Sequence, residues 1–218
     1  MPTQDLFESI DSRLPPVERI GDEAVLLRGF ALPFASDIVP LLAALETQAP
    51  FRQMTTPGGF TMSVSIMNCG TLGWISDRRG YRYAHEDPLS GKPWPAMPKP
   101  FSTLAQEAAA AAGFFDFTPD ACLINRYLPG TKMSLHQDKD ERNLQAPIVS
   151  VSLGIPAVFQ FGGHARSDKT VRVPVFHGDV VVWGGADRLR FHGVLPLKDA
   201  VHAVLGPQRI NLTFREAA

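Results

Sequence analysis

Cysteine is scarce in this chain of 218 residues: only Cys69 and Cys122 occur, 53 positions apart and without a CxxC pair. That excludes a disulfide framework and a thiolate zinc site, and it points to a reducing compartment. No apolar run approaches the ~20 residues that a membrane span requires. The opening MPTQDLFESIDSRLPPVERI sets acids and prolines where an export signal needs a basic end and an apolar stretch. A cytoplasmic chain with no membrane partner is expected. Neither charge sign dominates, with 21 Lys and Arg against 22 Asp and Glu. A global basic field is therefore excluded, whereas a local patch is not. Internal repeats and low-complexity stretches are also missing, apart from the alanines at 108–112, which excludes a solenoid.

What is present is the composition of one compact domain spanning 1–218, 44% apolar and 20% charged. A chain of this length buries roughly 70% of its unfolded surface, so no metal is needed merely to hold it together. A bound metal would need a functional reason. A monomer is expected. Ser36-Asp37 ahead of Ile38, Val39, Leu41, Leu42 and Leu45 predicts a capped amphipathic helix of about three turns. A second helix is predicted over Phe101–Ala112, ending at Gly113. Residues 50–100 are crowded with Pro, Gly and aromatics; only Phe60–Met67 alternates as a strand, so surface loops and a hairpin are expected there. From Ala121 onward, ACLINRY, IVSVSLG, AVFQFGG, VRVPVF, DVVVWGG and RINLTFR are short β-branched or aromatic runs cut by turn residues. The expected class is α+β, mainly β: a sandwich or jelly-roll with two helices packed outside it and the 50–100 segment over its mouth.

Positions i and i+2 of an extended chain point the same way, so His136 and Asp138 in LHQD converge on one point. His192, in RFHGV, lies 54 residues after Asp138 and after another strand. Two imidazoles and one carboxylate on one side of an ion form the facial arrangement of non-haem Fe(II) oxygenases. The bland alternative is a chance HxD pair beside an unrelated histidine. His85, His164, His177 and His202 have no carboxylate on the same face and are read as surface or hydrogen-bonded residues. In Arg209–Arg215 strict alternation sends Ile210, Leu212 and Phe214 to one face and Arg209, Asn211, Thr213 and Arg215 to the other. Two inward guanidiniums require anions, and a small dicarboxylate beside the metal would satisfy them. The alternative is an edge strand with its arginines in water. Asn125 and Tyr127 share a face of LINRY and offer an amide and a phenol to the same dianion, although a strand tyrosine is commonly core.

Taken together, Asn125-Arg126-Tyr127, His136-x-Asp138, His192 and the RINLTFR strand resemble the AlkB family of iron(II)- and 2-oxoglutarate-dependent dioxygenases. The resemblance runs from about residue 24 through FRQMTTPGGFTMSVSIMNCG, KPWPAMP, SLHQDKDE, FQFGG and HGDVVVWGG. It implies a double-stranded β-helix core at about 120–218 under a nucleotide-recognition lid at about 50–90. It implies Fe(II) on His136, Asp138 and His192. Arg215 and Asn125 would sit by the chelating end of 2-oxoglutarate, and Arg209, Tyr127 and Asn211 by its far carboxylate, with O2 as oxidant.

The implied activity is oxidative removal of N-linked methyl groups from bases such as 1-methyladenine and 3-methylcytosine. The implied partner is single-stranded or duplex DNA, with RNA as a further polymer; methylated tRNA or protein is the alternative substrate. Trp74 would stack on the flipped base and Asp140 would face its cationic edge. Tyr81, Lys132, Gln137 and Arg166 would line the substrate groove or hold the strand backbone. Arg78, Arg79 and Arg82, interleaved with Tyr81 and Tyr83, form a basic and aromatic cluster in the lid. Phe60 departs from the pattern, standing where a tyrosine is expected.

Overall fold

The computed structural model describes residues 16–218; the reading of residues 1–15 as lacking an export signal lies outside them. Eight strands form an antiparallel sheet in the order β1 (Val17–Arg19), β2 (Ala24–Leu27), β12 (Val180–Trp183), β9 (Ile148–Gly154), β14 (Arg209–Arg215), β7 (Ala121–Tyr127), β4 (Thr61–Gly70), β3 (Arg52–Thr55). Opposite lies a four-stranded sheet, β11 (Val171–Val175), β10 (Ala157–Phe161), β13 (His192–Val194), β8 (Met133–His136). A separate hairpin pairs β5 (Gly73–Asp77) with β6 (Gly80–Ala84). Two helices, α1 (Ala35–Gln48) and α2 (Lys99–Ala111), complete the elements used below. The arrangement is the expected jelly-roll with helices outside it.

Period-2 patterning explains the layers. On β9, Val149, Val151 and Leu153 join Ile210, Leu212 and Phe214 of β14 in a core capped by Ile38, Leu42 and Leu45 of α1 and by Phe101, Leu104 and Ala108 of α2. Phe101 meets Phe214 edge-on, ring centroids 6.3 Å apart. Both are fully buried, and truncating Phe214 to Ala would cost about 3–5 kcal/mol. Between the two sheets, Phe159, Phe161, Val181 and Trp183 form a second core. The opposite faces of β9 and β14 carry Ser150, Ser152, Arg209, Asn211, Thr213 and Arg215, and these too are buried. β14 is flanked by β9 and β7, so the edge-strand alternative, with its arginines in water, does not hold.

Three expectations shift. Ser36 and Asp37 lie inside α1 rather than capping it, because a 3-10 turn over Leu32–Phe34 runs directly into the helix and no side chain caps it. α2 begins at Lys99, after the extended Pro98. Residues 50–100 hold four strands rather than loops with one hairpin, and β3 and β4 extend the large sheet.

Two glycines place functional side chains. A Cβ on Gly193 would lie 2.7 Å from the Met133 carbonyl oxygen. Its absence lets β13 close on β8 and brings His192 into register with His136. A Cβ on Gly73 would enter the Trp94 indole, 2.3 Å from its Cε2, so the β5–β6 hairpin rests on Trp94. No helix among the described residues is long and apolar enough to cross a membrane.

Candidate active site

His136 ends β8, Asp138 follows it, and His192 opens β13. Their three ligand atoms lie within 4.8 Å of one another. His136 Nε2 is 3.5 Å from Asp138 Oδ1, and His192 Nε2 is 3.7 Å from Asp138 Oδ2. The two imidazole rings are 4.4 Å apart. Each Nδ1 faces a backbone carbonyl, Ser134 O at 2.9 Å for His136 and Arg190 O at 3.1 Å for His192. A carbonyl only accepts, so each Nδ1 carries the proton and each Nε2 lone pair turns toward the common point, the tautomer that metal binding needs.

The charges respond to this crowding. Burial works against the Asp138 carboxylate, but Arg215, His192 and His136 together hold it well below the usual range. Burial also opposes protonation of His136, whereas the hydrogen bond and charge of Asp138 outweigh it and raise its pKa. His192 is pulled down to about 4 by burial and by His136.

Behind the histidines the two arginines of β14 are held differently. Arg215 contacts Asp138 Oδ2 through Nε at 3.1 Å and Nη2 at 2.5 Å, and Glu141 Oε1 at 3.2 Å. Arg209, 2% exposed, donates to Ser152 Oγ at 2.8 Å and lies over the Tyr127 ring. No carboxylate pairs with it among the described residues. Arg209 Nε and Nη1, Arg215 Nη1 and Asn125 Oδ1 are buried without a hydrogen-bond partner among the described residues. Asn211 donates to Ser150 Oγ and Val151 O and accepts from Thr213. In register it stands between Asn125 of β7 and Ser152 of β9.

A cavity of about 580 Å³ unites these groups, within the range of ligand sites. Asn125, Tyr127, His136, Asp138, His192, Arg209, Asn211 and Arg215 line it, as do Trp74, Tyr81, Lys132, Gln137, Asp140 and Arg166. Every site residue expected from the sequence therefore reaches one cavity. Two neutral imidazoles with a carboxylate form the donor set of a facial Fe(II) centre. A buried guanidinium without an acid accepts a second carboxylate, so the residues present fit both Fe(II) and a keto diacid.

At the mouth, Trp74 and Tyr81 stack with centroids 5.5 Å apart and planes 12° from parallel. Trp74 Nε1 donates to Asp140 Oδ2 at 2.9 Å. Arg166 donates to the Leu135 carbonyl and lies over Phe191, and Gln137 donates to the Leu189 carbonyl at 2.5 Å. Phe60 is 76% exposed at the β3–β4 turn, where its backbone N–H donates to Thr56 Oγ1.

Four contributors carry little signal in the sequence. Asn68, buried, pins the backbone of Trp74 from both sides, accepting from its N–H at 3.1 Å and donating to its carbonyl at 3.0 Å. Tyr83, Glu141 and Arg188 form an ion and hydrogen-bond cluster beneath the hairpin. Their only signal is an acid in HQDKDE and a tyrosine close to Tyr81 in the lid. The basic cluster is partly neutralised: Arg82 pairs with Asp77 at 2.8 Å and Arg79 approaches it at 3.4 Å.

Comparison with known proteins agrees with the geometry. The model of the 2OG-Fe(II) oxygenase superfamily matches residues 23–215. Alpha-ketoglutarate-dependent dioxygenase AlkB of Salmonella typhimurium is 58% identical, with 98% of both chains covered. The protein of that name from Escherichia coli is 56% identical, over 98% of this chain and 97% of that one. Among solved structures, OsALKBH1 superposes with a TM-score of 0.82 at 31% identity, covering 92% of this chain and all of that one. Family match, near full-length identity and site chemistry coincide: the chain belongs to the AlkB family of the 2OG-Fe(II) oxygenases, dioxygenases that use Fe(II), 2-oxoglutarate and O2.

Proposed function

We propose that this dioxygenase repairs DNA by oxidatively demethylating N-alkylated bases such as 1-methyladenine and 3-methylcytosine. The observation carrying the proposal is the coexistence, in one cavity, of the His136/Asp138/His192 cluster, a buried Arg209 without an acid and an aromatic mouth flanked by a carboxylate. His136, Asp138 and His192 would hold Fe(II). Arg215 and Asn125 would meet the chelating end of 2-oxoglutarate, and Arg209, Tyr127 and Asn211 its far carboxylate. The chemistry supplied by the bound metal and keto acid is oxidation of the N-methyl group by O2, with 2-oxoglutarate split to succinate and CO2 and the hydroxylated methyl lost as formaldehyde.

The chain's own residues do the rest. Trp74, pinned by Asn68, and His136 would sandwich the extruded base, a stack worth ~1–3 kcal/mol. Asp140, fixed by the Trp74 indole N–H, would face the cationic edge of the lesion. Methylation that already blocks pairing reduces the few kcal/mol that extrusion costs, which favours damaged over normal bases. Tyr81, Lys132, Gln137 and Arg166 would hold the strand at the rim. In this reading 1–218 acts as one catalytic domain, with a lid at about 50–90 and a jelly-roll core at about 120–218, working as a monomer in the cytoplasm.

The test supplies Fe(II), 2-oxoglutarate and O2 with methylated single-stranded DNA, duplex DNA, tRNA or a methylated peptide and measures formaldehyde. Release from 3-methylcytosine DNA is expected. Release only from tRNA or peptide, or from none, would overturn the proposal.

A further inference from the structure

Beneath the β5–β6 hairpin lies a cluster that holds neither metal nor base. Glu141 is 6% and Arg188 2% exposed. Glu141 Oε1 accepts from the Tyr83 hydroxyl at 2.7 Å and lies 3.2 Å from Arg215 Nε, while Oε2 accepts from Arg188 Nη2 at 3.0 Å. Arg188 continues inward, with Nη1 donating to the Asp138 backbone carbonyl at 2.7 Å and Nε to Ala146 O at 3.0 Å. Asp138 is thus fixed twice, by Arg188 at its backbone and by Arg215 at its carboxylate. Tyr83 comes from the hairpin, where it is the register partner of Trp74.

We infer that Tyr83, Glu141 and Arg188 are positioning residues forming a relay between the keto-acid pocket and the lid, so that 2-oxoglutarate and the nucleic acid each bind more tightly when the other is present. The inference rests on the function proposed above. Its direction follows from charge. Two cations, Arg188 and Arg215, balance two anions, Asp138 and Glu141, in a site where an unpaired charge is costly. A keto-acid carboxylate near Arg215, whose Nη1 has no partner, draws that guanidinium away from Glu141. Glu141 then depends more on Arg188 and on the Tyr83 hydroxyl, and the strengthened Tyr83 bond holds the hairpin, with Trp74, over the cavity. Hydrogen bonds in a dry network reinforce one another in this way, and linkage makes the effect reciprocal.

The experiment uses full-length protein loaded with redox-inert Mn(II). Calorimetry gives the Kd of a 3-methylcytosine oligonucleotide with and without saturating 2-oxoglutarate, and the Kd of 2-oxoglutarate with and without the oligonucleotide, for wild type, Tyr83→Phe and Glu141→Gln. The wild type is expected to show a coupling factor of about fivefold or more, equal in both directions. Either variant is expected to bring the factor within about twofold of one. Melting curves identify which variants are folded. A merely loosened fold would weaken both affinities and leave their coupling intact, so the factor separates positioning from packing. A wild-type factor of one, or an unchanged factor in the folded variants, would overturn the relay. Failure of the wild type to bind either ligand would instead overturn the function on which it rests.

Discussion

The indole N–H of Trp74 donates to the carboxylate of Asp140 at 2.9 Å, joining the stacking ring of the cavity mouth to the acid beside it. The two residues come from separate segments, 66 positions apart. In the proposed function this one bond would couple base stacking to charge recognition. Trp74→Phe keeps an aromatic face and deletes the donor. It is expected to lower kcat/KM more for cationic 3-methylcytosine than for a neutral N-methylated base, whereas Trp74→Ala lowers both. Equal losses on the two lesions in Trp74→Phe would separate Trp74 from charge recognition.

Arg209 and Arg215 should respond differently to truncation. Arg209 is a buried cation without an acid, so Arg209→Ala removes an uncompensated charge: the ligand-free protein should melt no lower than wild type. The same change should raise KM for 2-oxoglutarate by about 10- to 150-fold, the equivalent of ~1.5–3 kcal/mol for a charge-assisted bond. Arg215→Ala leaves the buried Asp138 carboxylate without its arginine, while Glu141 keeps Arg188, and it should destabilise the ligand-free fold by about 3–5 kcal/mol. Thermal melts and KM values for both variants check the contrast.

The pH dependence of stability should report on His177. Burial and neighbouring His202, 4.3 Å away ring to ring, hold the His177 imidazole below its usual value. Its Nδ1 also accepts the Gly154 N–H at 3.0 Å, which requires an unprotonated nitrogen. Because the folded pKa is depressed, the unfolded chain binds the proton more readily. The contribution is complete above about pH 6.5 and is lost as pH falls through the folded value. His177→Gln should therefore lose less stability than wild type between neutral and acidic pH. Parallel melting curves for the two proteins would contradict this.

Salt dependence tests the lid cluster. Arg78 and Arg79 are exposed, whereas Arg82 is engaged by Asp77, whose carboxyl it holds well below the usual range. Replacing Arg78 and Arg79 together by Ala should flatten the slope of log affinity against log salt by about 0.7 for each phosphate of single-stranded DNA that the two arginines neutralise. A slope identical to wild type, read by fluorescence anisotropy, would remove these residues from the binding surface.

Much of this molecule is legible in its sequence where one periodicity does two tasks. The alternation of Arg209–Arg215 sets both the core-facing Ile210, Leu212 and Phe214 and the cavity-facing polar set. The i, i+2 spacing brings His136 and Asp138 together in the same way. The 50–100 region hides its strands because Gly and Pro break the pattern, although Gly73 is a packing position against Trp94. The start of α1 differs from expectation because the chain enters from a 3-10 turn, not through a side-chain cap. The pairing of Tyr83 with Glu141 and of Glu141 with Arg188 is not legible in the sequence because its bonds span 58 and 47 residues, and no local spacing announces a pairing made only by the closed fold. Asn68 escapes for a related reason, since its partner is a backbone rather than a side chain.

The most direct measurement is an anaerobic crystal structure with Fe(II), 2-oxoglutarate and a methylated trinucleotide. It is expected to show the metal on His136 Nε2, His192 Nε2 and the Asp138 carboxylate, the far carboxylate of the keto acid on Arg209, and the methylated base between Trp74 and His136. A metal held by other side chains, or a keto acid whose far carboxylate leaves Arg209 unengaged, would contradict it.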